Sequence, residues 1–321
     1  MLTNDPLCLA RAAIIVMAAA APAIAETTPI PHVETRGTGP IEVVLVPGLA
    51  CDWTVWDAFM DRNADRYTMH AVTLPGFGGT TSPPAPVAKD GTPWLDNAVE
   101  ALSEYMGDND LVGAHVVGHS LGGLVAYRMA TEKPDVTGKA ISVDGLPAFP
   151  LGGGNMSKGQ RVRMVEDMIA PQMLAVTDEQ WWAQQDQMMK SMVTGDERTQ
   201  EITELARKTP GGVAAQYMIE LMKTDVRDEL AWVDEPVLII AALPADVPQM
   251  PAEVVRTTWG DMVGGTEQVE LVYAEGSRHF VMDDAPEFLD QQVARFLVGE
   301  EEAADAKREA LSIERPNKNE D

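Results

Sequence analysis

Ser120 lies in Gly118-His119-Ser120-Leu121-Gly122-Gly123, a G-x-S-x-G arrangement. The apolar run Ala114 to Val117 precedes it and the helix-forming run Leu124 to Ala130 follows it. Strand, sharp turn and helix in that order present a serine hydroxyl for attack on a carbonyl carbon. Small residues at 118 and 122 let strand and helix approach closely. The helix start behind the serine offers unpaired N–H groups and a positive dipole end to a developing oxyanion.

A serine of this kind needs a base. The chain has five histidines. His32, His70 and His115 fall in predicted strands. His119 belongs to the turn itself, with its ring expected to point away from the attack position. His279, in Ser277-Arg278-His279-Phe280-Val281-Met282, follows a predicted strand and precedes the last helix. It is the candidate base and then acid. The imidazole in turn needs a carboxylate to set its tautomer. Two aspartates between Ser120 and His279 end predicted strands. The chain order serine, acid, histidine admits both; Asp246 lies beyond 237–241 and is the preferred acid. Asp144 follows 139–143 and is the alternative. Asp283 and Asp284 stand too close behind His279 and are expected to cap the last helix. For the oxyanion, two N–H donors are required. Leu121 follows the nucleophile. Leu49 follows Pro47, which has no N–H, and Gly48, and is the second candidate.

These groups must be positioned by surrounding elements. Apolar, β-branched runs at 41–46, 69–74, 139–143, 237–241 and 269–273 alternate with helix-like stretches at 53–60, 94–105 and 286–297. A Pro-rich loop spans 82–93. Continuous apolar strands alternating with helices predict an α/β chain whose central sheet is mostly parallel, with helices on both faces. The segment 150–232 breaks the rhythm. It reads as helical throughout and carries nine methionines and three tryptophans, among them Trp181, Trp182 and Met188. Inserted between two strands, it is expected to form a cap over the carboxyl ends of the sheet. Most of its apolar residues should form an ordinary core, while Trp181, Trp182, Met188 and also Phe280 are candidate substrate contacts, flexible Met suiting an adaptable pocket.

The expected divisions are a signal peptide at 1–25, a core at 26–149, the cap at 150–232, the rest of the core at 233–299 and a charged tail at 300–321. Arg11, the apolar run 12–21 and Ala23-Ile24-Ala25 fit a cleaved secretory segment. Its apolar run is too short to span a bilayer, so no stable membrane insertion is expected after cleavage. The mature chain is expected in the periplasm or medium of a bacterium. Cleavage would remove Cys8 and leave Cys51, which excludes an internal disulfide. No paired-cysteine or H-E-x-x-H pattern offers a metal site. Lys and Arg number 24 against 50 Asp and Glu, a net charge of −26. Such a surface disfavours nucleic acid and anionic membrane.

Four motifs carry a family resemblance: Pro47-Gly48-Leu49, Leu74-Pro75-Gly76-Phe77-Gly78, the Ser120 turn, and His279-Phe280-Val281-Met282-Asp283-Asp284-Ala285-Pro286. Over about 37–298 the chain resembles α/β-hydrolase-fold proteins with a helical cap, of the esterase, lipase and lactonase type. The resemblance implies a Ser120, Asp246, His279 triad, no cofactor, and cleavage of a small apolar carboxylic ester or lactone through an acyl-enzyme. Amide or acyl-homoserine-lactone cleavage on the same triad is the enzymatic alternative. A non-catalytic binding protein of this fold is the other, and haloperoxidase or perhydrolase activity a further one. The chain departs from the family pattern at Pro47, where His is usual, at Thr73, where Asp is frequent, and at Ala242, where Gly is common before the acid loop. The last departure keeps Asp144 open as the acid.

Overall fold

The computed structural model describes residues 27–83, 93–151, 156–247 and 250–299. The expected signal peptide and charged tail lie outside them, as does most of the Pro-rich loop. In chain order, β1 (His32–Arg36) and β2 (Ile41–Val46) lead through a short 3-10 turn at Trp53–Trp56 into α1 (Asp57–Asn63) and β3 (Tyr67–Thr73). Then come α2 (Trp94–Asp108), β4 (His115–His119), α3 (Leu121–Glu132) and β5 (Ala140–Val143).

Among the described residues the seven strands form one sheet in the order β1-β3-β2-β4-β5-β6-β7, where β6 is Val237–Leu243 and β7 is Val269–Glu275. Only β1 runs antiparallel to its neighbour; the other pairings are parallel. Both faces are covered. Along β2, Val44 and Val46 enter one core cluster with Leu124 and Trp259, while Val43 and Leu45 enter the opposite one with Trp56 and Phe296. That split follows from the two-residue side-chain period of a strand.

Between β5 and β6 the chain leaves the sheet to build the cap. Its helices are α4 (Lys158–Met164), α5 (Ala170–Leu174), α6 (Asp178–Met192), α7 (Asp196–Ala206) and α8 (Gly211–Lys223). A π-helical turn, Val165–Ile169, joins α4 to α5. It stands just before Pro171, whose ring and missing N–H disturb a regular α-helix. Ser157 and Thr177 open α4 and α6 with capping boxes to Gln160 and Gln180. The neck of the cap is a pair of crossing segments. Ala148 bridges Asp225, and Val226 N donates to Pro147 O at 3.0 Å. The buried Arg161 donates to Phe149 O at 2.6 Å and Met222 O at 3.1 Å, tying the two segments together.

The core resumes with β6, α9 (Ala252–Val263), β7, the short α10 (Val281–Asp284) and α11 (Pro286–Val298). Several bounds differ from the sequence expectation: β3 starts at Tyr67, β6 runs to Leu243 and β7 to Glu275, and α9 falls where no element is expected. The Leu74-Pro75-Gly76-Phe77-Gly78 motif proves to be where the cap docks. Phe77 packs on Tyr217 of α8 with ring centroids 4.7 Å apart, and the Tyr217 hydroxyl donates to Pro75 O at 3.0 Å. Thr73, the second departure from the family pattern, accepts a hydrogen bond from Trp53 N at 3.2 Å.

Candidate active site

Ser120 occupies the junction of β4 and α3 with φ 55 and ψ −116. That conformation is costly for any residue with a Cβ. It persists because the turn is tightly constrained on both sides. Ser120 N donates to Val143 O at 2.9 Å. A Cβ on Gly118 would lie 1.9 Å from Gly122 O, so β4 and α3 meet at a distance only glycine permits. Among the described residues four non-glycine residues have positive φ: Ala50, Asp110, Ser120 and Asp144. Besides the serine itself, Ala50 and Asp144 belong to the loops that adjoin it.

Asp144 follows β5 directly. Its N–H donates to Ile240 O at 2.8 Å, and its Oδ1 accepts from Ala242 N at 2.9 Å, which anchors the carboxylate on β6. Its other oxygen, Oδ2, accepts from His279 Nδ1 at 2.6 Å. A carboxylate only accepts, so the proton lies on Nδ1 and the lone pair of His279 on Nε2. The two side chains are 15% and 17% exposed, which leaves the imidazole reachable.

The preferred acid of the sequence reading is placed elsewhere. Asp246 is 61% exposed and pairs with Arg278 through Nε–Oδ1 at 3.2 Å and Nη2–Oδ2 at 2.5 Å. Those hydrogen bonds hold its carboxyl below the usual range. With β6 two residues longer than expected, the loop bearing Asp246 starts farther out, and the neighbour of His279 captures it. Asp144, the alternative, stands at the imidazole. The capping expected of Asp283 and Asp284 is also corrected. Neither caps α11, which starts at Pro286 after Ala285. Asp283 pairs with Arg198 at 2.9 Å, and burial raises its pKa in spite of that partner. Asp284 accepts from Arg278 N at 2.7 Å and Thr194 Oγ1 at 2.9 Å.

His119 contributes in a way the sequence did not disclose. Its ring packs on those of His279 and Phe280, with centroids 4.7 Å away in each case. Its Nε2 lies 3.0 Å from His279 O, so Nε2 carries the proton. Burial, and then the nearby His279, depress its pKa well below 6.5. A neutral His119 leaves room for positive charge on His279. The other histidines have separate partners: His70 faces Glu42 at 3.0 Å, His115 accepts from Lys139 N at 3.0 Å, and His32 packs near Trp53.

The loop after β2 closes over the serine. A Cβ on Gly48 would meet His119 Nδ1 at 2.9 Å and Ser120 Cβ at 3.2 Å. Cys51 N donates back to Gly48 O at 3.1 Å, and Ala50 in that turn has φ 60. Leu49 therefore lies beside the serine turn. Leu121 opens α3, where first-turn amides lack helical acceptors. The cap reaches this loop at Thr209, whose hydroxyl contacts Ala50 O at 3.4 Å and Gly78 N at 3.2 Å. Of the candidate substrate contacts, Phe280 packs at the histidines. Trp181 and Trp182 are buried in the core cluster on that face, with the Trp182 indole donating to Thr209 O at 3.2 Å. Met188 lies on the exposed side of α6. Among the described residues no group of three or more His, Cys, Asp or Glu is placed to hold a metal ion. Nor is any helix there long and apolar enough to cross a membrane.

Known proteins share this architecture. A 117-residue stretch is 37% identical to pimeloyl-[acyl-carrier protein] methyl ester esterase of Aeromonas hydrophila subsp. hydrophila, covering 36% of this chain and 42% of that protein. The chain thus spans about two fifths of that relative's length. The enzyme of the same name from Yersinia enterocolitica is 26% identical over 275 residues, 81% of this chain and 94% of that protein. The enol-lactonase from Burkholderia xenovorans LB400 superposes with a TM-score of 0.62 at 17% identity, over 83% of this chain and 95% of that one. The sequence model of the alpha/beta hydrolase family matches residues 43–292, and the chain belongs to that family.

Proposed function

We propose that this protein is a serine hydrolase that cleaves carboxylic esters, lactones included, with Ser120 as nucleophile, His279 as base and Asp144 as the acid of the triad. The observation that carries the reading is the 2.6 Å contact of His279 Nδ1 with Asp144, beside a serine held at φ 55. Ser120 Oγ gives its proton to His279 Nε2 as it attacks the carbonyl carbon. Asp144 stabilises the imidazolium. The oxyanion is held by the N–H groups of Leu49 and Leu121, each such donor being worth about 3 kcal/mol in the transition state. His279 then protonates the leaving alcohol, and water, deprotonated by the same imidazole, releases the acid from the acyl-enzyme. The relatives named as methyl ester esterases support an ester over an amide. The segment 1–25 supports export, with Glu26 as the first mature residue.

The test is a panel of aryl esters and lactones of graded acyl length, run with fluorophosphonate labelling. The wild type should hydrolyse esters and carry the label on Ser120, and Ser120→Ala should do neither. Folded wild-type protein that takes no label and turns over no ester would refute the reading and favour a binding protein of this fold.

A further inference from the structure

The residue before the histidine joins three parts of the molecule that the chain keeps far apart. Arg278 Nη1 donates to Lys190 O and Val193 O, both at 2.9 Å. These carbonyls belong to the last turn and C-cap of α6, where helical carbonyls lack partners and a cation is favoured. The Nε and Nη2 groups of the same guanidinium grip Asp246, in the loop after β6. The backbone N–H of Arg278 donates to Asp284 Oδ2, which also accepts from Thr194 just beyond α6. One turn farther on, Arg198 of α7 holds Asp283 through Nε at 2.9 Å and Nη2 at 3.2 Å. Every one of these contacts lands on the segment 278–284, and His279 lies inside it.

We propose that Arg278 is a positioning residue that locks the end of cap helix α6 to the histidine loop, so that the seating of the cap and the aim of the His279 imidazole are one coupled state. The assignment rests on the serine-hydrolase reading for its catalytic consequence and on the geometry alone for the coupling. A planar guanidinium can serve two carbonyls and a bidentate carboxylate at once, which an ammonium cannot. Asp246 thereby supports the site without touching the imidazole. The arrangement gives the cap a direct route to the reaction: a cap that lifts at 190–193 withdraws two acceptors from the side chain next to the base.

The test compares Arg278→Met and Arg278→Lys with wild type and with Arg36→Met, which breaks a surface ion pair with Asp57 and Asp61. Arg278→Met should lower kcat about 10- to 100-fold on short-chain esters, the cost of a misplaced group, while KM shifts less. Arg278→Lys should recover part of the loss, and guanidinium ion well below denaturing concentration should rescue Arg278→Ala. Hydrogen exchange should quicken in 189–195 and 278–284 together in Arg278→Met and in neither for Arg36→Met. A kcat within twofold of wild type, or faster exchange confined to one of the two segments, overturns the proposal. If Ser120→Ala or His279→Ala keeps full activity, the hydrolase reading fails instead, and the paired exchange result still decides the coupling.

Discussion

Asp144 and His279, 135 positions apart in the chain, meet through a 2.6 Å contact, and the carboxylate comes from the end of β5 rather than from the loop after β6. Its second oxygen is held by the backbone of β6. The carboxylate is therefore oriented by the sheet itself, and the histidine loop is brought to it.

The two aspartates should separate cleanly. Asp144→Asn keeps the shape but faces His279 with an amide and disfavours the Nδ1–H tautomer. It should lower kcat about 10³- to 10⁴-fold. Asp246→Asn only loosens the grip on Arg278 and should cost less than about tenfold. Steady-state kinetics on one activated ester, with circular dichroism to confirm folding, checks the order; a larger loss from Asp246→Asn would reverse the assignment.

His119 should make acid destabilising. Its folded pKa is depressed by burial below its ordinary 6.5. As pH falls below 6.5 the unfolded chain takes up a proton that the folded ring refuses. The stability contributed by neutral His119 is thus complete above pH 6.5 and is lost as pH falls toward the folded pKa. The slope approaches about 1.4 kcal/mol per pH unit. In His119→Gln, which keeps a donor for His279 O, urea melts between pH 7 and about pH 5 should show a correspondingly flatter dependence. An unchanged slope would mean that His119 already titrates normally in the folded protein.

Two glycines near the serine should respond differently to alanine. Gly118→Ala drives a Cβ into the backbone at Gly122, which cannot yield without separating β4 from α3. It should cost more than about 4 kcal/mol or prevent folding. Gly48→Ala meets the ring of His119 and the Cβ of Ser120. It should fold but lose about 10- to 100-fold in kcat through displacement of the serine and the oxyanion loop. Thermal melts and ester kinetics on both variants make the comparison.

The serine turn was legible because a small-residue frame between an apolar strand and a helix has few other uses. His279 was legible by elimination: the remaining histidines sat inside strands or in the turn itself. The acid was not legible, because Asp144 and Asp246 both end strands and their fate depends on what Arg278 and Ala242 N do in space. Two signals favour Asp144 as the partner of His279. Asp144 abuts its strand and is followed by Gly145, while Asp246 lies three residues past the end of β6 and has an arginine beside the base to pair with. The bracing role of His119 had no local signal, since its partner is a main-chain carbonyl 160 positions away. Likewise Trp181 and Trp182 read as lid residues over a pocket, and their burial in the shared core shows that part of the cap is built as interior.

The grouping of strained backbone around the serine sets limits on engineering this protein for heat tolerance. Ala50, Ser120 and Asp144 hold positive φ in the loop after β2, the serine turn and the end of β5, which together frame the proposed site. Glycine at 120 or 144 would relieve that strain only by removing the hydroxyl or the carboxylate the proposed mechanism uses. Asp110 is the fourth such residue, and it is exposed in the link between α2 and β4, away from all three. Glycine or asparagine there satisfies the left-handed backbone, so a library aimed at hardening the protein should start at 110 and leave the other three untouched.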